Sequence, residues 1–174
     1  MNRTRPAYTL VEMLVVIGIF LVLLSVTLAN FRSAVPRQAL AAAAQQFASD
    51  IEAMRTAALA GDPQHPDAVL FGIRATLQEP DRYYRFRAPA GFDRTSGERP
   101  EDLETVVLPA RVVFTALVPE ASANRDLSVM FVAPGGRIAI DGAAAAAAFT
   151  LGYTGADAAA TVRVSGISGR IDVE

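Results

Sequence analysis

Leu10 to Ala29 is apolar almost throughout and carries a single charge, Glu12; nothing else in the chain constrains its fold as strongly. About 20 such residues, coiled as an α-helix, cross the hydrocarbon core of a bilayer. An ionised acid inside a membrane helix costs on the order of 2.5–3.5 kcal/mol at mid-bilayer and less near the end, where Glu12 lies. Such a residue usually has a partner. Arg3 and Arg5 put positive charge ahead of the run, which keeps that end in the cytoplasm and sends everything after Ala29 across the membrane. Pro6-Ala7 marks a break just before the helix. The competing reading is an ordinary signal peptide or uncleaved signal anchor with an incidental Glu. A secretory peptide has an apolar core of about 7–15 residues with a small-residue cut behind it, and this run is longer.

The residues around the break, Ala7, Tyr8, Thr9, Leu10, Val11 and Glu12, resemble the start of a type IV prepilin-like protein. That family has a short basic leader ending in a small residue, then an aromatic residue, Thr, Leu, an aliphatic residue and Glu at the fifth mature position. The resemblance implies that a membrane-embedded aspartyl prepilin peptidase cuts between Ala7 and Tyr8 and that the new amine of Tyr8 is methylated. It also implies that Glu12 pairs with that amine in a neighbouring subunit as a filament assembles. The physics agrees: an ion pair gains far more from Coulomb attraction at low dielectric than in water, whereas an unpaired carboxylate there tends to protonate. The chain departs from the family pattern at Ala7, where Gly is nearly always found. Ala is the nearest substitute in size, so cleavage is expected at reduced efficiency.

A chain of 174 residues suits one globular domain plus an anchor. No second membrane-length run follows residue 29. The formal charge of −2 becomes −4 once Met1 to Ala7, with Arg3 and Arg5, is removed. That balance exerts no general pull on nucleic acid. Every basic residue is arginine, which with the alanine bias fits a GC-rich coding sequence. With no cysteine, neither a disulfide framework nor a thiolate metal site can form.

Leu40, Ala44, Phe47, Ile51, Met54 and Ala58 recur at alternating spacings of four and three, one narrow apolar stripe on a helix. It fits a helix lying on a domain core and a filament-packing face equally well. Pro36 interrupts the ladder and is placed to kink the helix or end its first half; Gly61-Asp62-Pro63 is a firm stop. The expected organisation is a leader at 1–7, a helix at 8–60 (transmembrane 10–29, amphipathic 37–60) and a β-rich domain at 61–174. In that domain Val69, Phe71, Ile73, Ala75 and Leu77 alternate with more polar residues. Further strands are expected at Tyr83–Arg87, at Val106–Leu108 and Arg111–Val118 as one stretch broken by Pro109, and at Leu127–Val132, Arg137–Ile140, Phe149–Tyr153, Thr161–Val164 and near Ile171, a set of about seven short strands with Leu127–Val132 central. Pro109 suits a bulge or edge, Ala88 to Glu104 reads as a long exposed loop, and Ala143 to Ala148 as a helical turn or loose connection. The class is α+β, with the helix stripe covering one sheet.

Candidate chemistry is sparse. His65 is the single histidine and sits between Pro63 and Pro66 in a turn, where histidine is ordinarily solvated. Asp62, Asp67, Asp141 and Asp157 are spread among turns and lack calcium-loop spacing. No nucleophile constellation, phosphate loop or zinc motif is present, so the expectation is no catalytic residue, metal or cofactor. Arg82-Tyr83-Tyr84-Arg85-Phe86-Arg87 interleaves arginines with aromatics, a pattern that can hold nucleic acid by phosphate contact and stacking. On a strand, Tyr83, Arg85 and Arg87 share one face, expected to be solvated, and Tyr84 and Phe86 the other, expected to be buried. From Arg74 to Glu101 six arginines meet five acids. Ordinary sheet patterning is therefore favoured over a nucleic-acid contact at Arg82, Arg85 and Arg87.

The C-terminal half, with Leu127-Ser128-Val129-Met130-Phe131, Pro134-Gly135, Val162-Arg163-Val164-Ser165 and Gly169-Arg170-Ile171, resembles the GspH/FimT-type minor pseudopilin domain. This resemblance implies a long N-terminal helix packed on two antiparallel sheets. It implies a non-enzymatic subunit near the tip of a type II secretion pseudopilus, held in the inner membrane before assembly with its β-domain in the periplasm. Its partners would be other pseudopilins, the prepilin peptidase and an inner-membrane assembly platform. The alternative is a FimT/FimU-like minor type IV pilin serving pilus assembly or DNA uptake. A signal-anchored periplasmic β-domain that binds a ligand is the third reading.

Overall fold

The computed structural model describes residues 9–61, 68–89, 92, 102–119, 126–140 and 145–174, with the backbone alone described at 28–33, 68, 102 and 103. One helix, α1 (Leu10–Ala60), precedes nine strands: β1 (Ala68–Thr76), β2 (Arg82–Pro89), β3 (Asp102–Val107), β4 (Val112–Val118), β5 (Asp126–Val132), β6 (Arg137–Ile140), β7 (Ala146–Tyr153), β8 (Ala159–Ser165) and β9 (Ile171–Val173). Pro36 lies inside α1 and does not end it. Gly61, at φ 74°, closes the helix in the left-handed conformation that glycine adopts without steric cost. The chain divides into two compact units, Met1–Pro36 and Arg37–Glu174.

In the second unit the strands form two antiparallel sheets, ordered β3-β2-β1-β5-β6 and β4-β7-β8-β9. The expected α+β arrangement of one helix and two sheets is what the chain adopts. The apolar stripe on α1 is its buried face: Leu40, Ala44, Phe47, Ile51, Met54 and Ala58 are all in the core. Phe47 meets rings from both sheets, with centroids 4.8 Å from Tyr83, 5.3 Å from Phe114 and 4.9 Å from Phe149, all edge-on. Such edge-to-face pairs add about 0.5–1.5 kcal/mol each beyond the area they bury. Phe71, Ile73 and Ala75 of β1 and Leu127, Val129 and Phe131 of β5 complete the core from the first sheet. Phe114, Phe149, Leu151, Val162 and Val164 complete it from the second. The opposite face of the second sheet, with Thr115, Ala148, Thr150, Thr161 and Arg163, is exposed or half-buried.

The passage between sheets runs from edge strand β3 to edge strand β4 through Pro109, as an edge reading of that proline requires. Two backbone bonds tie this corner to the β1–β2 turn: Leu108 N–H donates to the Asp81 carbonyl and Phe114 N–H to that of Pro80, both at 2.8 Å. β5 is central, between β1 and β6, as its two-faced apolar pattern predicts.

Four expectations need correction. The described residues hold nine strands rather than about seven. β3 begins at Asp102, because pairing with β2 from Arg87↔Asp102 to Arg82↔Val107 draws three residues, Asp102 to Glu104, out of the expected loop, and β2 takes Ala88 and Pro89 from its other end. Of that loop, 90–91 and 93–101 lie outside the described residues, and Phe92 rests against Phe86 at 6.5 Å. Ala146 to Ala148 open β7, paired with Ser165, Val164 and Arg163, so tertiary pairing overrides alanine's helical preference. Finally, the Tyr83 and Arg85 face of β2 is not solvated. It faces α1, where Tyr83 is 1 % exposed, while Tyr84, Phe86 and Ala88 on the other face are buried as well. Arg74 lies over the Tyr84 ring, 5.1 Å from its centroid.

Candidate processing and assembly site

α1 starts at a reciprocal cap. The Glu12 backbone N–H donates to Thr9 Oγ1 at 3.3 Å, and the Thr9 backbone N–H donates to Glu12 Oε2 at 3.3 Å. Two helix-start donors that would otherwise be orphaned are satisfied by two side chains three residues apart. The sequence signal for this cap is Thr-x-x-Glu, Thr9 to Glu12, directly before an apolar run. An acid in the first turn is also favoured by the helix dipole.

Behind the cap, Leu10–Thr27 is long and apolar enough to cross a membrane and is exposed on every side. Its hydroxyls are turned inward: Ser25 Oγ donates to the Val22 carbonyl at 2.7 Å and Thr27 Oγ1 to the Leu23 carbonyl at 2.8 Å. Each polar group is thereby satisfied within the helix, as a lipid environment demands. Glu12 is left as the one ionisable group of the span, and one of its oxygens is engaged by Thr9. Ala7 and Tyr8, the expected cleavage pair, lie outside the described residues, as do His65, Asp62, Asp67 and Asp141. Asp157 sits exposed in the β7–β8 turn.

The three arginines considered for nucleic acid do not share a surface. Arg82 grips Asp81 through two bonds of 3.0 Å, and that hydrogen bonding holds the Asp81 carboxyl below its usual range. Arg85 points to the opposite face, bonded to Asp50 Oδ1 of α1 at 3.3 Å and to Glu104 Oε1 of β3 at 2.5 Å. Burial alone would lower the Arg85 pKa, but the Glu104 hydrogen bond and the charges of Asp50 and Glu104 outweigh it and raise the pKa. Arg87 is half-buried on the same face as Arg85. Asp50, which sequence reasoning passed over, is 6 % exposed and also accepts bonds from the Tyr83 hydroxyl and from Gln46 Nε2, the latter at 3.3 Å. Among the described residues no group of three His, Asp or Glu side chains is placed to hold a metal.

Comparison with protein families finds a match to the family described as "Prokaryotic N-terminal methylation motif" over residues 2–28. The chain thus carries a type IV prepilin-like methylation motif over residues 2–28, a stretch that includes Tyr8, the Thr9–Glu12 cap and most of the apolar run. This is the motif of pilin-like and pseudopilin proteins, whose assembly into filaments follows prepilin peptidase cleavage, and the apolar helix fits a single-pass anchor. It points to a structural role rather than an enzymatic one. Searches of curated proteins and of solved structures gave no significant match.

Proposed function

We propose that the chain is a minor pseudopilin of the GspH/FimT type, added near the tip of a type II secretion pseudopilus. The observation that carries this reading is the capped, acid-bearing start of a membrane-length helix, inside a methylation motif and ahead of a helix-plus-two-sheet domain. Residues 1–7 are then a leader removed by the prepilin peptidase, 8–60 the assembly helix and 61–174 the periplasmic domain. Cleavage after Ala7 creates an amine at Tyr8, which is methylated and retains its positive charge.

Before assembly, Glu12 is held by Thr9 of its own chain, which lowers the cost of keeping a carboxylate in the span. During assembly the inner-membrane platform brings a second subunit close enough for its Tyr8 amine to take over Oε1 or Oε2. Attraction between opposite charges at low dielectric sets the axial position of the incoming subunit. The exposed loops then contact companion pseudopilins.

The test is mass spectrometry of the chain purified from cells that contain the secretion apparatus, followed by cross-linking to the companion pseudopilins. The expected mature chain begins at a methylated Tyr8 and cross-links to them. A chain retaining Met1 with an unmodified amine would leave a tethered sheet protein in its place, and one beginning after Ala29 an ordinary secreted domain.

A further inference from the structure

We infer that Asp50 is a positioning residue that fixes the register of α1, within Arg37–Ala60, on the two sheets. The inference concerns packing inside the domain and stands apart from any filament. The buried stripe of α1 is nearly self-similar: moved by seven residues, Leu40 falls on Phe47 and Phe47 on Met54, while Ala44 falls on Ile51 and Ile51 on Ala58. A move of one turn exchanges Leu40 with Ala44, Phe47 with Ile51 and Met54 with Ala58. These exchanges are apolar for apolar, although the one-turn move that puts Met54 in the place of Asp50 also carries half-buried Arg55 into the buried place of Ile51. Because apolar burial is non-directional, the apolar exchanges themselves select register only through side-chain volume.

Asp50 is different in kind. Among the described residues of α1 it is the one buried charged side chain, half-buried Arg55 donating instead to the Gly169 carbonyl at 3.3 Å, and its carboxylate is bound from three directions. Tyr83 O–H donates to Oδ2, Arg85 Nη1 lies 3.3 Å from Oδ1, and Gln46 Nε2 bonds the same oxygen at 3.3 Å. Arg85 in turn reaches Glu104 on β3, so the contact links α1 to two neighbouring strands of the first sheet. Sliding the helix by one turn, about 5.4 Å, brings Gln46 or Met54 to the position of Asp50. The carboxylate then takes either the buried place of Met54 or the exposed place of Gln46, and in both cases the Tyr83 hydroxyl loses its acceptor and Arg85 keeps only Glu104. A buried charge without its partner is among the most heavily penalised arrangements in a protein interior, whereas a buried pair replaced by apolar groups can be neutral for stability. The polar contact therefore contributes uniqueness of register more than strength, the role a single buried polar residue has in coiled coils.

The full chain in detergent micelles supplies the test, and its lack of cysteine leaves it free for labelling. Spin labels on cysteines placed at Ala53 of α1 and Ala159 of β8, both exposed, report helix position by pulsed electron resonance. The parent should give one narrow distance. Asp50→Leu should stay folded and show a second distance displaced by about 5 Å, one helical turn. Ile51→Val, which trims the apolar stripe next door, should keep the single parental distance. A single parental distance in Asp50→Leu overturns the inference, and so does an equal second population in Ile51→Val, which would mean general loosening. If Asp50→Leu does not fold, Asp50→Asn, with the same shape and no charge, decides by the same two outcomes.

Discussion

Gly72 of β1 and Phe86 of β2 are directly paired, and the Phe86 ring lies across the glycine so closely that a Cβ there would sit 2.6 Å from the ring's Cζ. The same Cβ would stand 2.9 Å from the Val129 carbonyl oxygen of β5, a backbone atom that cannot swing away. The ring covers the gap that a strand glycine leaves, a pairing known to rescue glycine in sheets. Gly72→Ala should therefore cost about 1–3 kcal/mol by overpacking, seen as a lower melting temperature by roughly 2–4 °C for each kcal/mol. Adding Phe86→Leu should recover part of the loss, because neighbours in contact are not additive. A melt unchanged in Gly72→Ala would refute the contact.

Phe47 is the point where α1 meets aromatic rings of both sheets. Phe47→Ala should lose about 3–5 kcal/mol, the range for deleting a buried aromatic. Since a domain this size is stable by only about 5–15 kcal/mol, chemical denaturation should show most of that margin gone. Exposed Ala53→Ser on the same helix should move the midpoint hardly at all.

Burial, and then the hydrogen bond to Asp50, push the Tyr83 phenol above its ordinary value of 10. Above that pH the unfolded chain releases a proton that the folded chain keeps. Stability carried by this group is thus full below about pH 10 and declines as pH rises, by up to about 1.4 kcal/mol per pH unit. Tyr83→Phe lacks that slope. Urea midpoints of parent and variant, measured from about pH 8 to about pH 11, should converge as the parent loses this term. Parallel curves would exclude it.

Substitutions at Thr9 and Glu12 separate the capping role of the Glu12 carboxylate from its proposed role in assembly. Glu12→Gln keeps a side chain able to close the cap but removes the charge; membrane insertion should be normal and incorporation into filaments should fall to background. Thr9→Ala keeps the charge and loses the cap, at about 1 kcal/mol of helix stability, and incorporation should persist at a reduced level. Cross-linking to companion subunits in cells reads both. Normal incorporation of Glu12→Gln would remove the ion pair from the assembly mechanism.

Arg82 is held by Asp81, and Arg85 by Asp50 and Glu104. The purified full chain should therefore give no DNA mobility shift that weakens with added salt, the mark of phosphate-driven binding. A salt-sensitive shift abolished by Arg82→Ala would restore the nucleic-acid reading.

What could be read in advance followed periodicity. The stripe from Leu40 to Ala58 was legible because a helix buries one side in a 3.6-residue rhythm, and β1 and β5 because a strand repeats every second residue. Ala146 to Ala148 were not legible, since alanine marks neither face, and only the bonds to β8 make them a strand. The two faces of β2 were misjudged for a related reason: Arg85 looks solvated until a buried acid from a helix 35 residues away is set beside it. At the candidate site the apolar span and Glu12 were evident from composition. The Thr9 cap was written in the same four letters and was overshadowed by the pairing proposed for that acid.

The wall of the four-stranded sheet that looks away from α1, with Thr115, Ala148, Thr150, Thr161 and Arg163, encloses no core volume. Exchanges of side chain there empty no cavity and strand no buried charge. Substitution at the exposed positions of that wall, Thr115 and Arg163, should cost little in packing, and an epitope or fluorophore grafted there should leave folding intact.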